Sequence, residues 1–228
     1  MVKSLSIKKN SLIVSCQALE DEPLHGSDIM AKMAIAAKQG GAAGIRANSF
    51  NDIIAIKQAV DLPLIGIIKK EYETSPIYIT PTMEEVDELV KANIEIIAID
   101  ATNRIRPDGK TIQTFIEEIR QKYPNLLIMA DISTFEEGIA AAKYGVDVVS
   151  TTLCGYTEET KDQKIPNFTL VKELSHELSI PVVCEGGIQC PGDLKAAFDH
   201  GAYACVVGSA ITRPQVITKK FTDVLKNA

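Results

Sequence analysis

The segment Leu64-Ile65-Gly66-Ile67-Ile68-Lys69 is apolar for five residues and then ends on a charged lysine. Apolar residues without polar alternation are typical of a strand that is buried on both faces, as in a parallel sheet covered by helices. Leaving a lysine ammonium half-buried at the end of such a strand costs free energy. Its side chain therefore either reaches solvent or has a lowered pKa, and a lysine with a lowered pKa is a useful base.

Seven other short apolar segments recur along the chain, and amphipathic segments of helical period lie between them. The predicted strands are Leu12–Gln17, Ala43–Arg46, Leu64–Lys69, Ile94–Asp100, Leu126–Asp131, Val146–Thr151, Val182–Glu185 and Ala204–Gly208. The predicted helices are Ile29–Gln39, Asp52–Val60, Glu84–Ala92, Thr111–Lys122, Phe135–Tyr144, Leu170–Leu178, Gly192–His200 and Pro214–Lys226. Eight β–α units predict an α/β fold, a single (β/α)8 TIM barrel over residues 1–228. The alternative is an open, doubly wound sheet, but no strand has the distinct character of an edge.

Glycines recur where a predicted helix gives way to the next predicted strand. They are Gly40-Gly41 before the second strand, Gly145 before the sixth and Gly201 before the eighth. Glycine is the preferred residue just after a helix, so this side of the barrel is predicted to be structural. The functional site is expected on the opposite rim, where the strands end.

Composition narrows the class of protein. The 228 residues carry 24 lysines and arginines against 30 acids, a net charge of −6 spread along the chain, which argues against a nucleic-acid partner. Residues 1–10 lack the apolar core of a signal peptide, and no apolar run approaches the roughly 18 residues of a membrane span. The sequence therefore predicts a cytoplasmic protein without a membrane partner, acting on a small molecule.

Metal binding is not expected. The five cysteines are odd in number and widely spaced, unlike a zinc ligand set or a disulfide framework. The acids predicted at the strand ends are single and have no histidine beside them.

Polar residues at the predicted strand ends are candidates for the site. They are Gln17, Arg46, Lys69, Asp131 and Glu185. In a closed barrel these ends surround one mouth. Strand alternation places Lys69, Asp131 and Glu185 on the same faces as apolar residues two positions earlier, so all three can point inward. Alternation alone does not say which face is inward, and Lys70 remains an alternative to Lys69.

Glycine pairs follow the seventh and eighth predicted strands, in Gly186-Gly187-Ile188 and Gly208-Ser209-Ala210. These two loops present backbone N–H groups to a phosphate in many barrels, helped by the start of a short helix. The alternative is that the glycines only permit tight turns. Arg213 follows the second loop and either clamps the phosphate or is an exposed arginine at a helix start.

The strand-end residues suit proton abstraction from a carbon beside a carbonyl. Lys69 would be a neutral base if burial and the charge of Arg46 lowered its pKa. Glu185 would then be the acid or second base, Asp131 would orient a sugar or tune the lysine, and Gln17 would donate or accept neutral hydrogen bonds. A Schiff base on Lys69, as in aldolases, is the alternative.

Several motifs together resemble one family over about residues 11–225. They are Ser15-Cys-Gln-Ala-Leu19, Asp21-Glu-Pro-Leu-His25, Ala34-Ile-Ala-Ala-Lys-Gln-Gly-Gly-Ala42, Gly44-Ile-Arg-Ala47, Ile65-Gly-Ile-Ile-Lys69, Tyr78-Ile-Thr-Pro-Thr82, Met129-Ala-Asp-Ile-Ser133, Ser150-Thr-Thr-Leu153, Gly155-Tyr-Thr157 and Ala210-Ile-Thr-Arg-Pro214. With these motifs the sequence resembles the bacterial N-acetylmannosamine-6-phosphate 2-epimerases. The combination is specific, whereas a glycine pair alone would not be.

The resemblance implies a (β/α)8 barrel that interconverts N-acetylmannosamine 6-phosphate and N-acetylglucosamine 6-phosphate, in sialic acid and aminosugar catabolism, without cofactor or metal. It places the catalytic residues on Lys69, Glu185, Asp131, Arg46 and Gln17, and the phosphate site on Gly187, Gly208, Ser209 and Arg213. Relatives often carry arginine at the position of Lys70, which favours Lys69 as the base. The resemblance also implies a homodimer that pairs through terminal helices such as Pro214–Lys226.

The sequence departs from the family pattern in both phosphate loops. Many relatives read Glu-Gly-Arg or Glu-Gly-Asn where this chain has Glu185-Gly-Gly187, and Gly-Gly is common where it has Gly208-Ser209. A backbone phosphate site tolerates both changes. The second proton carrier stays open between Glu185 and a relay through the substrate. A Schiff-base aldolase and a sugar-phosphate sensor are the rival functions.

Overall fold

The computed structural model describes residues 5–225, in which eight parallel strands close into a barrel. The strands are β1 (Ser11–Cys16), β2 (Gly44–Asn48), β3 (Leu64–Ile67), β4 (Ile96–Asp100), β5 (Leu127–Asp131), β6 (Val148–Ser150), β7 (Val182–Cys184) and β8 (Ala204–Val207). Strands that are consecutive in the chain are neighbours in the sheet, and β1 pairs with β8. The predicted (β/α)8 barrel is confirmed, and the open sheet is wrong because no edge remains.

Helices follow the strands and cover the outside of the barrel. They are α1 (Ser27–Gln39), α2 (Phe50–Ala59), α3 (Met83–Lys91), α4 (Ile112–Lys122), α5 (Phe135–Lys143), α6 (Phe168–Glu177), α7 (Pro191–Asp199), α8 (Ser209–Thr212) and α9 (Pro214–Leu225). The predicted helices agree within two residues at each described end, while the short α8 had not been predicted as an element of its own. The predicted end at Lys226 and residues 1–4 and 226–228 of the predicted domain lie outside the described residues. Across residues 5–225, every helix is too short or too polar to cross a bilayer.

Two helices begin with reciprocal caps close to the barrel mouth. Thr82 accepts a hydrogen bond from the backbone of Glu84, while the Glu85 carboxylate accepts one from the Thr82 backbone at 2.9 Å. Thr134 and Glu137 form the same arrangement at the start of α5. Each cap satisfies N–H groups that a helix start leaves unpaired, so α3 and α5 begin at defined points behind the mouth loops.

The barrel core has an inner and an outer layer. Ile65, Ile67, Met129 and Val183 point into the barrel, whereas the alternate residues pack against the helices. Gly66 is one of these outward positions, and a Cβ there would lie 3.0 Å from the side chains of both Ile53 and Leu89. Glycine therefore lets α2 and α3 pack closely on β3. These inner residues show which strand face points inward. Lys69, Asp131 and Glu185 each lie two positions after one of them and therefore share the inward face.

Predicted strand ends differ from the structure in two places that matter for the site. The second strand continues to Asn48, so Arg46 lies two residues before its end rather than at it. The ladder of β3 stops at Ile67, because residues 68–80 turn back as a hairpin in which Lys70 N donates to Tyr78 O at 2.9 Å. We call residues 68–80 the β3–α3 hairpin. Its return arm pairs Ile79 with Lys69, which fixes the backbone of that lysine.

The helix-to-strand joints match the prediction. Gly41, Gly145 and Gly201 have φ values of 94°, 92° and 94°, a left-handed conformation that side chains rarely adopt. These glycines turn the chain at the end of the barrel that lies away from the strand C-termini.

Candidate active site

The strand C-termini surround a cavity whose empty volume, including its open mouth, is about 940 Å³. Of the nine residues predicted for the site, eight line this cavity: Gln17, Arg46, Lys69, Glu185, Gly187, Gly208, Ser209 and Arg213. The ninth, Asp131, is fully buried and lies behind Arg46, outside the cavity lining. The structure therefore brings together side chains from six of the eight β–α units.

Lys69 extends from the β3–α3 hairpin into the cavity. Its backbone N–H donates to Asn48 Oδ1 at 2.8 Å, and no hydrogen bond joins its Nζ to another of residues 5–225. Burial lowers the pKa of Lys69 to about 8, helped by the positive charges of Arg46 and Arg213. Glu185 and Glu22 act in the opposite direction with smaller effect. A lysine with this pKa is partly neutral near pH 8 and can accept a proton.

Lys70 points the other way, out of the barrel. Its Nζ lies 3.0 Å from Glu85 Oε1, and its side chain is 47% exposed. Hydrogen bonds with the side chains of Tyr72 and Glu85 hold it in its charged form, so the pKa of Lys70 is raised. The alternative that sequence alternation left open is therefore decided in favour of Lys69.

Arg46 is the centre of a buried charged network. Its guanidinium donates to both oxygens of Asp131, at 3.1 Å from Nη1 and 2.5 Å from Nη2, and Nη1 also donates to Glu185 Oε2 at 3.0 Å. Arg46 and Asp131 are 1% and 0% exposed. Burial lowers the pKa of Arg46, but the two carboxylates outweigh that effect and raise it above its ordinary value. The arginine is therefore a fixed positive charge under the cavity.

Thr152 joins the two carboxylates that contact Arg46. Its hydroxyl lies 2.7 Å from Asp131 Oδ1 and 3.0 Å from Glu185 Oε2. Burial raises the pKa of Glu185, and so does the negative charge of Asp131, against the opposing effect of Arg46. Glu185 is 13% exposed and borders the cavity. Its carboxyl can thus carry a proton at a pH where an exposed glutamate could not.

Two buried polar atoms of cavity residues have no hydrogen-bond partner within residues 5–225. Gln17 donates from Nε2 to Ser15 Oγ at 2.9 Å, but its Oε1 has no hydrogen-bond partner among residues 5–225. Arg46 Nε is likewise buried without a partner in that range. Buried polar atoms without partners cost free energy, so a ligand with hydroxyl or amide groups gains by contacting them.

The two glycine loops meet on one side of the mouth. Gly187 has a φ of 82°, and a Cβ there would lie 2.8 Å from Ile165, so only glycine fits without a shift. The backbone N–H of Gly187 donates to no acceptor within residues 5–225. Helix α8 begins at Ser209 directly after Gly208, which leaves the first N–H groups of that helix without helical partners. Both loops thus have backbone N–H groups that are available to an anion.

Arg213 lies beside the glycine loops and is held by an acid from the β1–α1 loop. Its Nε and Nη2 donate to Glu22 at 2.6 Å and 2.8 Å, and its Nη1 donates to Ser209 Oγ at 3.0 Å. The bidentate pair sets the plane of the guanidinium beside the glycine loops.

The sequence assigned no role to four side chains of this site: Glu22, Tyr78, Thr152 and Tyr156. Tyr78, Thr152 and Tyr156 line the cavity. Thr152 had a signal, since it lies two residues after the inward position Ser150. The other three lie on loops, where no period indicates direction.

Within residues 5–225, no three His, Cys, Asp or Glu side chains are arranged to hold a metal ion. The polar groups around the cavity are guanidinium, ammonium, hydroxyl, amide and carboxyl groups, which together suit a phosphorylated, hydroxyl-rich ligand.

Comparison with known proteins agrees with this geometry. The family described as "Putative N-acetylmannosamine-6-phosphate epimerase" matches residues 30–227. Relatives described as "Putative N-acetylmannosamine-6-phosphate 2-epimerase" include one from Clostridium perfringens, 59% identical over 97% of this chain and 100% of its own length. Another from Clostridioides difficile is 54% identical over 96% of this chain and 97% of its own length.

Solved structures extend the comparison to the whole fold. The N-acetylmannosamine-6-phosphate 2-epimerase from Clostridium perfringens superimposes with a TM-score of 0.91 at 58% identity, over 96% of this chain and 94% of that one. A thiamine phosphate pyrophosphorylase from Pyrococcus furiosus shares only the fold, with a TM-score of 0.63 at 17% identity over 90% and 88% of the two chains. The sequence and structural matches together show that this chain belongs to the N-acetylmannosamine-6-phosphate epimerase family.

Proposed function

We propose that this protein interconverts N-acetylmannosamine 6-phosphate and N-acetylglucosamine 6-phosphate by proton transfer at C2. The observation that carries the proposal is Lys69, a lysine of lowered pKa that lines the same cavity as Glu185 and the two glycine loops. The family membership supports the same substrate pair. As predicted from the sequence, we propose one catalytic domain over residues 1–228, acting in the cytoplasm in aminosugar and sialic acid catabolism.

The substrate would be oriented by its phosphate. Backbone N–H groups of Gly187, Gly208 and Ser209 would hold the phosphate oxygens, and Arg213 would supply a positive charge. The phosphate is attached at C6, so an open-chain sugar fixed there extends its C1 and C2 end across the mouth. That end would lie over Lys69 and Arg46, where Gln17 Oε1 supplies an acceptor.

Ring opening places an aldehyde at C1, which makes the C2 hydrogen acidic. Neutral Lys69 would remove this hydrogen as a proton, and the electron pair of the broken C–H bond would form a C1–C2 double bond while negative charge develops on O1. Arg46, charged and fixed by Asp131, stabilises negative charge nearby. Asp131 would act through Arg46, because both of its carboxylate oxygens accept hydrogen bonds from Arg46 and Oδ1 accepts another from Thr152.

Inversion at C2 requires a proton on the opposite face. Glu185, with its raised pKa, would deliver that proton directly or through a hydroxyl or amide of the substrate. Reaction in D2O tests the scheme as a whole, because deuterium from exchanged carriers should appear at C2 of the product. Product without deuterium would contradict proton exchange at Lys69 or Glu185.

A coupled assay with N-acetylmannosamine 6-phosphate, run beside the unphosphorylated sugar, tests the function. We expect conversion of the phosphorylated sugar and little conversion of the free one, because the phosphate loops contribute only to the first. Equal rates would overturn the role of those loops. Borohydride reduction with substrate bound tests the aldolase alternative, since a trapped adduct on Lys69 would indicate a Schiff base. Binding of both sugar phosphates without conversion would indicate a sensor.

The pH dependence follows from the direction of the Lys69 shift. A base must be neutral, and the neutral fraction of Lys69 falls as the pH drops through its pKa of about 8. We therefore expect kcat/KM to fall about tenfold for each pH unit well below that value. An acid limb of the pH profile measured with the coupled assay checks this. A rate that stays level down to about pH 6 would mean that Lys69 is not the base in the free enzyme.

A homodimer is the second proposal, and α9 is the element that supports it. Phe221, Val224 and Leu225 are 74%, 66% and 73% exposed, and no residue of Pro214–Leu225 is buried. An exposed apolar face of this kind is typical of an interface. We propose that the two copies pair through α9.

Phe221→Asp should convert the dimer to a monomer, because it places a charge at the centre of the apolar face. Light scattering measures the change as a halved molar mass. Thr222→Asp is the matched control, since it adds the same charge at an exposed neighbour of Phe221 outside the apolar set. A wild-type protein that is monomeric throughout the concentration range would contradict the proposal.

A further inference from the structure

Tyr78 is the one tyrosine of the β3–α3 hairpin that lines the cavity. Its ring packs on the inner core of the barrel, among residues such as Ile67 and Ile79. No hydrogen bond joins its hydroxyl to any other of residues 5–225. The other tyrosine of this hairpin, Tyr72, differs, because its hydroxyl donates to Glu85 at 2.9 Å outside the cavity. A phenol O–H that lines a cavity without a protein partner is free to contact a ligand.

The position of Tyr78 relates it to the reacting carbons rather than to the phosphate. Four charged groups act electrostatically on its hydroxyl. They are Asp131 on β5, Asp100 on β4, Arg104 in the loop after β4 and Arg46 on β2. The phosphate loops follow β7 and β8, across the mouth from β4 in the closed strand order. A sugar phosphate that binds at those loops therefore brings its C1 and C2 end toward Tyr78.

The hairpin also couples Tyr78 to the proposed base. Lys70 N donates to Tyr78 O at 2.9 Å, and Lys69 pairs with Ile79 across the two arms. The return arm is held in turn by Arg106, which donates to the backbone oxygens of Thr80 and Pro81 at 2.8 Å each. Lys69 and Tyr78 thus belong to one fixed unit. If Lys69 lies at C2 of the sugar, the hairpin holds the Tyr78 hydroxyl in a constant position relative to it, near C1.

We propose that the Tyr78 hydroxyl is a catalytic group that donates a hydrogen bond to the C1 oxygen of the open-chain sugar as negative charge develops there. The proposal deepens the epimerase function and rests on it. Lys69 gains the C2 proton, the C–H electron pair becomes the C1–C2 double bond, and the carbonyl π pair moves onto O1. Tyr78 keeps its proton throughout and lends only a hydrogen bond, so the step needs no further reactant.

The ionisation of Tyr78 suits a donor. Burial raises the pKa of this phenol, and so do the carboxylates of Asp131 and Asp100, against smaller effects of Arg104 and Arg46. Tyr78 therefore stays protonated over the pH range in which Lys69 titrates. A tyrosine hydroxyl performs the same task toward an enolate oxygen in ketosteroid isomerase.

Tyr78→Phe tests the inference, with Tyr72→Phe as the matched control on the same hairpin. Phenylalanine fills the same volume and removes no hydrogen bond within residues 5–225, so the melting temperature should not change. We expect Tyr78→Phe to lower kcat about 100-fold, as loss of one oxyanion donor does. KM for N-acetylmannosamine 6-phosphate should change less than about threefold, because the interaction strengthens only in the transition state. The rate of C2 deuterium exchange in D2O should fall by the same factor as kcat.

Other outcomes would overturn the inference in distinct ways. An unchanged kcat with a raised KM would show that Tyr78 contacts a group that gains no charge, such as the acetamido group. An unchanged kcat and KM would show that it makes no useful contact. A wild-type enzyme that does not interconvert the two sugar phosphates would overturn the proposed function and this inference with it, whereas the first two results leave the function intact.

Discussion

Replacing Lys69 with methionine should lower the kcat of epimerisation by about 10²–10⁴-fold, the range that a positioned general base contributes. The variant should fold, because Nζ forms no hydrogen bond within residues 5–225 and methionine is close to lysine in length. Removing a charge from a half-buried place should leave the melting temperature unchanged or slightly raised. The coupled assay and a thermal melt measure the two effects separately.

Lys70→Met is the control for Lys69→Met. It removes the same charge from the next residue, but Lys70 lies outside the barrel and pairs with Glu84 and Glu85 near the surface. The pair with Glu84 is exposed and contributes little to stability, while the buried carboxylate of Glu85 keeps its hydrogen bonds from Thr82 and Tyr72. Because Lys70 is not among the residues that line the cavity, activity should stay within about twofold of the wild type. If Lys69→Met retained full kcat, or if Lys70→Met lost as much, the assignment of the base would be wrong.

Arg46→Met should have the largest effect on stability, about 3–5 kcal/mol, because it leaves the buried carboxylate of Asp131 without its partner and Glu185 without its ion pair. Chemical denaturation measures the change as a lowered midpoint. Activity should be lost as well, since Arg46 fixes the carboxylates and lowers the pKa of Lys69. The deficit should shrink as the pH falls, because an uncompensated buried carboxylate has a raised pKa in the folded state and becomes neutral.

A second variant separates stability from chemistry. Arg46→Met combined with Asp131→Leu removes both members of the buried pair, and it should recover much of the stability while staying inactive. A deficit in Arg46→Met below about 1 kcal/mol at neutral pH, or one that is independent of pH, would contradict the buried pair. Recovery of activity in the double variant would contradict the need for charge at this position.

Much of the fold follows from local patterns. Eight apolar segments in alternation with amphipathic ones predicted the barrel, and Gly145 and Gly201 marked the helix-to-strand joints because only a left-handed residue turns the chain there. The inward face of Lys69, Asp131 and Glu185 followed from strand period once one inner residue was known. The two loops were visible as glycine pairs, although the bounds of the short helix that starts at Ser209 were not predicted.

The interactions of the site were beyond any local pattern. Arg46 and Asp131 are 85 positions apart, Arg46 and Glu185 are 139 apart, and Glu22 and Arg213 are 191 apart. Each pair forms only because the barrel closes and brings distant strand ends around one mouth. Tyr78 reaches the cavity because residues 68–80 return as a hairpin. The residues between β3 and α3 show no hydrophobic periodicity that would predict this hairpin.

The sequence by itself determined the barrel, the rim of the candidate site and two glycine loops, because strand and helix periods and glycine turns depend on residues close in the chain. Strand alternation left Lys69 and Lys70 as alternatives, and the family resemblance favoured Lys69. The tertiary structure showed that Lys69 enters the cavity while Lys70 points away, and that burial lowers the pKa of Lys69. It also placed Asp131 behind Arg46 and brought Tyr78 into the lining of the cavity. Burial and electrostatic fields depend on distance in space, and only the closed barrel sets that distance.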